Sequence, residues 1–476
     1  MIWALIGLLF PAGASWLWLR ALRLLPPQAR ILTAAVAFAV GLGLSSLVTF
    51  WWAVLAEGIN RRFALVDALI WIALAVVAWR QPHPPHPSHP SHPSHLSHLS
   101  QSPHALTLAR GLFALAAVMA AAAAFAEYRA SPYGLPDATL IWNLKARFVI
   151  RGGEAWTGFV QVPWASPSHP LLVPASVARL WAYAGSELTA VPALLGFAVA
   201  AAIVAAVVGA LDPRRPRAWI AGTVLIAPWT FIQSIPAQTA DLPFALYVVA
   251  TLIVLLMSGT SDTMVLVVAG LLGGLAAWTK NEGLVFLLAA TAMMLWTRAR
   301  PRPAFAPLRG GLAAARRARG GGRSLGWWFA ALAPALMTIA CVKLALAPVP
   351  PEYLAETAAP SVFERLTDPA QHALVGGIFW DHWIRWGGPV AGGILPVATL
   401  ASVLVASTRA GGSARPVLLV LALMLAAYVG IWIISPVETD WLVETTADRL
   451  LLQLWPSLVL ATFAWDRGGA AEGRVS

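Results

Sequence analysis

The sequence predicts an all-α, polytopic membrane protein with about 13 transmembrane helices and short interfacial helices on the outer face. The 476 residues are 59% hydrophobic and only 11% charged. Apolar runs of about 17 to 25 residues recur along the chain, and this length crosses a bilayer as a helix. Arginines concentrate in short loops between the runs, so the net charge of +11 is interpreted as an orientation signal and not as a nucleic-acid-binding surface.

The predicted spans follow one another closely along the chain. The first has no basic segment before it and is followed by Arg20, so it is interpreted as a retained span and not as a cleaved signal. The eighth and ninth are separated only by Lys280-Asn-Glu-Gly283, which predicts a tight hairpin. In chain order the spans are 2–19, 31–56, 63–79, 108–126, 187–210, 217–235, 241–258, 264–279, 283–297, 326–347, 388–407, 415–434 and 448–465.

Arginine placement predicts the direction of the chain. The loops on one side carry most of the arginines, and Arg61 and Arg62 are the exception on the other side. By the positive-inside rule, the N-terminus lies outside a bacterial-type cytoplasmic membrane and the C-terminus lies in the cytoplasm. The long loops 127–186, 348–387 and 435–447 then face outward, together with the polar residues that interrupt the apolar pattern.

Two segments interrupt the membrane pattern and divide the chain. Residues 81–107 hold seven of the ten histidines in a repeat with proline, which favours a disordered cytoplasmic linker, with a metal-binding tract as the alternative. Residues 298–324 form an Arg/Gly-rich cytoplasmic loop that sets topology or contacts anionic headgroups. The predicted divisions are therefore an N-terminal three-span extension (1–80), the linker, a membrane module (108–297), this loop, and C-terminal membrane helices with outer loops (325–476).

The most informative single residue is Asp137, which follows an apolar span and opens a helix-like segment. A helix cap is the structural interpretation of this acid. The functional interpretation is a general base or a metal ligand, because Ile141, Leu144 and Phe148 form an apolar stripe typical of an interfacial helix. Its cations Lys145 and Arg147 are then expected to meet lipid phosphates at the membrane surface.

Further polar residues lie at predicted outer turns. His169 precedes a proline and is either a loop residue or a ligand for an acceptor or metal. Asp241 begins a span, where it caps the helix or faces a substrate. Lys280 and Glu282 either pair with each other or bind substrate, with Lys280 facing a phosphate. Arg449 lies at the predicted outer end of the last span, where it either binds a phosphate through two N–H groups or pairs with a nearby acid.

These segments occur in an order that resembles a known family. An outer-loop Asp in 137–147 is followed by Ser168-His-Pro170, by Ala240-Asp-Leu-Pro243, and by a Gly-rich span ending in Lys280-Asn-Glu282. Together they resemble the GT-C glycosyltransferases, in particular the PMT-type and aminoarabinose-transferase-like branch of glycosyltransferase family 39. The resemblance covers roughly residues 108–297, and the segment 448–453 is similar in style to the final helices of such enzymes.

The resemblance implies a GT-C-like catalytic module that moves a sugar from a polyprenyl-phosphate donor to a lipid, glycan or protein acceptor on the outer face. It implies that Asp137 is the catalytic base or metal-associated acid, and that Asp241, Lys280 and Arg449 serve the same site. A divalent metal ion held by Asp137 and His169 is left open. The chain departs from the family where an Asp-Glu pair is replaced by Asp137-Ala138, and in the three spans and linker that precede the module.

Two alternatives belong to other classes. One is a transporter or flippase of a lipid-linked substrate, for which internal repeats and polar residues at mid-membrane depth are typical. The ionisable residues here cluster instead at the predicted outer ends of the spans. The other alternative is a non-catalytic GT-C-like subunit, which the missing acidic partner of Asp137 leaves open.

Overall fold

The chain folds into a bundle of long helices. The computed structural model describes residues 1–22, 24–25, 29–60, 62–81, 103–258, 263–299, 323–347, 361–408 and 414–464, and helices are the only regular secondary structure among them. The helices are α1 (Ile2–Ala21), α2 (Arg30–Leu55), α3 (Phe63–Arg80), α4 (Pro103–Ala130), α5 (Asn143–Arg151), α6 (Leu172–Ala184), α7 (Ala190–Ala210), α8 (Pro216–Ile226), α9 (Trp229–Ser234), α10 (Asp241–Ser258), α11 (Thr263–Thr279), α12 (Glu282–Ala299), α13 (Arg323–Ala340), α14 (Val362–Thr367), α15 (Pro369–Arg385), α16 (Gly388–Ala391), α17 (Ile394–Thr408), α18 (Ala414–Ile434) and α19 (Thr439–Phe463).

Short helical segments of other types join these elements. π-Helical turns cover Ala138–Trp142, immediately before α5, and Cys341–Leu346, immediately after α13. Two 3-10 segments, Gly153–Gln161 and Pro163–Ala165, follow α5. Much of the predicted His/Pro linker 81–107 and of the Arg/Gly loop 298–324 lies outside the described residues.

Eight of the described helical segments are long and apolar enough to cross a membrane, and three shorter apolar helices accompany them at 241–256, 263–279 and 282–297. An all-α membrane protein is thereby confirmed at the level of fold class, while the predicted number of 13 spans stays a prediction. The short α11–α12 connection, with Gly283 N bonded to Lys280 O at 3.0 Å, is the hairpin that the sequence predicts.

Some predicted boundaries are wrong. The predicted span 217–235 is divided into α8 and α9 at Pro228, which has an extended backbone with a ψ of 134° and has no N–H to continue the helical hydrogen bonds. The predicted span 388–407, in contrast, coincides with the candidate membrane span Gly388–Ser407, although its helix is interrupted between α16 and α17 at Gly392 and Gly393, where Gly393 has a φ of +80°. The last helix begins at Thr439, inside the predicted loop 435–447, because its first turns are polar and hydropathy detects only the apolar part of a helix.

The helices α1, α2 and α3 belong to the same bundle as the later helices that the structure describes. A Cβ on Gly41 of α2 would lie 2.5 Å from the carbonyl carbon of Pro11, so α1 and α2 cross at backbone contact. On its other side, α2 meets α10 and α11, where Tyr247 donates to Ala39 O at 3.0 Å and Trp278 donates to Ser46 Oγ at 3.1 Å. The N-terminal helices therefore help to form the framework that positions the polar residues described next.

Candidate functional site

The polar residues singled out by the sequence meet at one end of the bundle, hereafter the site end. This is the end at which α4 and α11 finish and at which α10, α12 and α19 begin. Five side chains form one continuous series of ion pairs there, which we call the charge chain: Asp137, Arg449, Asp241, Lys280 and Glu282. The five residues are therefore in contact with one another, and the membrane face on which they lie stays a prediction.

Asp241 is the buried centre of the charge chain. It is the first residue of α10, and only 1% of its surface is exposed. Its Oδ1 accepts hydrogen bonds from Lys280 Nζ at 2.8 Å and Gln453 Nε2 at 2.8 Å. Its Oδ2 accepts from Arg449 Nε at 3.0 Å and Thr239 Oγ1 at 3.1 Å. Because its acceptor positions are occupied by two cations and two neutral donors, Asp241 is held as an anion and has little capacity to bind a substrate proton.

Lys280 extends the charge chain to the α11–α12 hairpin. Its Nζ lies 2.8 Å from Asp241 Oδ1 and 2.8 Å from Glu282 Oε1. Burial by itself lowers the pKa of Lys280, but the two carboxylates outweigh burial and raise that pKa above its ordinary value. Lys280 is therefore a permanent cation that joins two acids, which is the pairing alternative that the sequence had left open for Lys280 and Glu282.

Asp137 is the exposed end of the charge chain. Arg449 Nη1 donates to its Oδ2 at 2.6 Å, and 35% of the Asp137 side chain is exposed. That is the one hydrogen bond to the Asp137 carboxylate among the described residues, so Oδ1 carries no protein donor there. The side chain makes no helix-capping hydrogen bond, so the capping interpretation is wrong for this residue.

The backbone around Asp137 is fixed by the loop before α10. Gly134 has a φ of +78°, and a Cβ at this position would lie 2.6 Å from Ala237 O. Leu135 N donates to the same oxygen at 3.2 Å. Gln238 then bridges the two segments, because its side chain donates to Pro132 O at 2.9 Å and accepts from Asn143 Nδ2 at 2.7 Å. The loop that carries Asp137 is thus pinned to the turn that carries Asp241.

A second group of charges lies beside the charge chain, and we call Lys145 and Lys343 the lysine pair. Lys145 Nζ donates to Ser166 O at 2.7 Å and Lys343 Nζ donates to Ser168 O at 3.0 Å, so both lysines converge on one loop. Among the described residues, neither lysine forms an ion pair with a carboxylate. Burial, and secondarily the charge of Lys343, lowers the pKa of Lys145 to about 7.

The expected lipid-facing position of Lys145 is wrong. The side chain has 0% exposure and lies 5.6 Å from the ring centroid of Phe159, because the 3-10 segment 153–161 folds back over α5. Arg147, two residues further along, faces another side of the helix and lies 3.5 Å from Glu187. Arg147 is therefore neutralised by a carboxylate away from the charge chain, whereas Lys145 points inward.

His169 lies on the loop that receives the lysine pair. Its ring stacks parallel to Trp142, with centroids 5.8 Å apart, and its Nδ1 is buried with no hydrogen-bond partner among the described residues. Burial, followed by the positive charge of Lys145, lowers the pKa of His169 to about 3, so the imidazole is neutral near pH 7. The charges of Lys280, Glu282 and Lys343 also act on this pKa, so His169 is near both the lysine pair and the charge chain.

The divalent metal ion that the sequence left open for Asp137 and His169 stays a prediction. Across the described parts of the chain, no three His, Cys, Asp or Glu side chains are grouped as metal ligands. The two candidate ligands face cations, since Asp137 is bound by Arg449 and His169 is close to Lys145. Positive charge next to both groups opposes a further cation, and the chemistry below uses no metal.

Sequence reasoning missed several residues that build the site. Gln453 donates to Asp241 and accepts from Tyr428 at 2.8 Å, and Lys343 completes the lysine pair. At the same end of the bundle, Asp67 of α3 pairs with Arg179 of α6 in a second buried ionic cluster. Each is a polar residue inside or next to an apolar run, and a polar residue in that position could have been recognised from the sequence as a candidate site residue.

Comparison with protein-family models, with curated proteins and with solved structures found no match to this chain. Its fold and site define an all-α membrane protein with a linked set of buried charges at one end of its helix bundle.

Proposed function

We propose that this chain is a membrane glycosyltransferase that moves a sugar from a polyprenyl-phosphate donor to an acceptor on the outer face of the cytoplasmic membrane. The observation that supports this most is the Asp137 carboxylate, which Arg449 orients through one oxygen while the other oxygen has no donor among the described residues. A carboxylate so placed can accept a proton from a substrate bound at the site end.

The reaction needs two events that such a site can assist. The acceptor hydroxyl or amine attacks the anomeric carbon and gives its proton to Asp137 Oδ1. The bond from that carbon to the carrier phosphate breaks, and its electron pair goes to the phosphate oxygen, so the carrier leaves as a phosphate. Attack opposite the leaving group inverts the configuration at the anomeric carbon. Arg449 keeps Asp137 oriented, but its positive charge also makes the carboxylate a weaker base. Proton transfer to Asp137 therefore depends on holding the acceptor close to Oδ1.

The lysine pair is the best candidate for the carrier phosphate, with the partly exposed Lys343 as the direct contact and the buried Lys145 adding its charge at the same loop. The predicted phosphate residues Lys280, Arg449 and Arg147 are already paired with carboxylates, whereas Lys145 and Lys343 donate only to backbone carbonyls among the described residues. The phosphate gains negative charge as the sugar departs, and cations that are not already paired with a carboxylate can stabilise that charge. Lys145, with a pKa of about 7, gains a full charge when such an anion binds.

A transporter or flippase has less support from the positions of the charges. Asp241 and Glu282 are the first residues of their helices and Lys280 follows the last residue of α11, so these charges lie at helix ends and not at mid-span. Transported substrates are typically bound near the middle of the bilayer by broken helices. A non-catalytic GT-C-like subunit is the remaining alternative, and an activity assay separates it from an enzyme.

The test is sugar transfer or sugar release from a panel of polyprenyl-phosphate monosaccharides by the purified chain in proteoliposomes. We expect turnover by the wild type and a loss of about 100-fold or more in Asp137→Asn, because the amide cannot accept the acceptor proton. Asp381→Asn is the matched control, since Asp381 is an exposed partner of Arg385 on α15. No turnover by the wild type with any donor, or unchanged turnover in Asp137→Asn, would contradict the proposal.

A further inference from the structure

An apolar groove of about 560 Å³ lies between α1 and α3. Its lining residues include Trp16, Trp71 and Trp79, together with small residues such as Gly13 and Ala75. A Cβ on Gly13 would meet no other heavy atom within 4 Å, so the space above this residue is open. The volume falls in the range typical of sites for small apolar ligands.

The two helices run side by side in the same direction. Arg179 donates to Gly7 O in the first half of α1 and to Asp67 in the first half of α3, so the two helices begin near the same end of the bundle. Trp18 of α1 donates to Leu74 O of α3 at 3.1 Å, which fixes their register. The last turns of both helices therefore lie at the same end of the bundle, opposite the site end.

Two exposed arginines stand at this end of the groove. Arg20 lies 4.6 Å from the ring centroid of Trp16, a residue that lines the groove, and Arg80 ends α3. Neither arginine forms an ion pair in the described part of the chain, and Asp67, in the opposite half of α3, is the sole acid on the two helices. The groove reaches Leu17, three residues or about 4.5 Å of helix rise before Arg20.

We propose that the groove binds the hydrocarbon chain of one anionic phospholipid, whose phosphate contacts Arg20 and Arg80. An uncharged lining matches a hydrocarbon chain, and two cations with no carboxylate partner among the described residues match an anionic headgroup one turn beyond it. The exposed Trp79 fits the interfacial depth at which tails and headgroups meet. A second copy of this chain would bring two further arginines to the same place, so charge complementarity favours the lipid. This inference does not depend on the proposed enzymatic function.

The experiment measures lipid retained by the full-length chain in detergent, by native mass spectrometry, after addition of phosphatidylglycerol or phosphatidylcholine with identical acyl chains. We expect the wild type to retain one phosphatidylglycerol in preference to phosphatidylcholine by about tenfold, the equivalent of roughly 1.4 kcal/mol. Gly13→Leu fills the groove and should abolish retention. Arg20→Gln combined with Arg80→Gln should remove the preference while the groove stays open.

Matched controls separate the groove from general effects on the membrane surface. Gly111→Leu adds the same side chain on α4, where a Cβ also meets open space, and Arg110→Gln removes an arginine that stacks on Trp219 at 5.6 Å. Both controls should retain phosphatidylglycerol as the wild type does. Equal retention of the two lipids by the wild type, unchanged retention in Gly13→Leu, or a bound mass equal to a second copy of the chain would each overturn the proposal.

Discussion

Two ionic clusters lie at the same end of the bundle, and they differ in net charge and in exposure to solvent. In the first, Asp67 and Arg179 are 1% and 2% exposed and form one ion pair. Tyr183 and Trp71 also donate to Asp67, and Arg179 donates to Gly7 O. This cluster holds one negative and one positive charge, and it is sealed from solvent.

The charge chain has the same chemistry but an open end. It contains three carboxylates and two cations, an excess of one negative charge, and its terminal residue Asp137 has a side chain that is 35% exposed. A neutral, sealed cluster can only fix the helices that carry it. A cluster with an excess carboxylate at an exposed end can also exchange a proton with a substrate. We therefore assign a structural role to the Asp67 cluster and a chemical role to the Asp137 end of the charge chain.

The largest effect on stability is expected at the sealed cluster. Asp67→Asn leaves Arg179 buried without a counter-ion, and removing one partner of a buried pair typically costs about 3–5 kcal/mol. The free energy of unfolding in detergent should fall by that amount. Asp381→Asn, on an exposed ion pair, is the control and should change it little. An Asp67→Asn protein as stable as the wild type would show that the cluster does not carry the packing of α3 on α6.

A smaller loss is expected in the middle of the charge chain. Lys280→Met places the carboxylates of Asp241 and Glu282 together without the cation between them. Because Arg449 and Gln453 still bind Asp241, we expect about 2–3 kcal/mol of destabilisation, measured by thermal unfolding. Lys280→Arg should recover most of the loss, and equal losses in both variants would contradict the ion-pair account.

The lysine pair predicts a dependence of stability on pH. The pKa of Lys145 falls from an ordinary 10.5 to about 7 in the folded chain, chiefly because the amine is buried. Between these values the folded state binds fewer protons than the unfolded state, so the free energy of unfolding should rise with pH, by at most about 1.4 kcal/mol per pH unit. Unfolding measured between about pH 7 and pH 10 should show this slope. The slope should be lost in Lys145→Met and kept in His382→Gln, and an identical slope in Lys145→Met would contradict the assignment.

The smallest effect is expected at His382, where the side chain is partly exposed. Its hydrogen bond with Asp448 Oδ1, 2.9 Å away, raises the pKa of His382 above its ordinary 6.5. The stabilisation is therefore complete below about pH 6.5 and is lost as pH rises through the higher folded pKa. Solvent screening limits it to less than about 1 kcal/mol. The difference in unfolding midpoint between wild type and His382→Gln should shrink from about pH 6 to pH 9, and a constant difference would refute a charged pair.

The helices and the meeting of the site residues were predictable for physical reasons. Hydropathy marks apolar spans, and the alternation of span direction puts every second loop on the same face, so Asp137, Asp241, Lys280 and Arg449 were expected together. Which of these residues form ion pairs with each other was not predictable, because the donors that reach Asp241 depend on how α10, α11 and α19 pack. Similarly, helical periodicity separates Lys145 from Arg147, but burial of Lys145 depends on the 3-10 segment that covers it.

The central claim is that the open cluster does chemistry and the sealed cluster does not. The measurement that tests it most directly is turnover with a polyprenyl-phosphate sugar, together with the unfolding midpoint, for Asp137→Asn and Asp67→Asn in the same membranes. We predict that Asp137→Asn loses about 100-fold in turnover with little change in midpoint, and that Asp67→Asn lowers the midpoint while the folded fraction keeps its turnover. Wild-type turnover in Asp137→Asn would contradict the account.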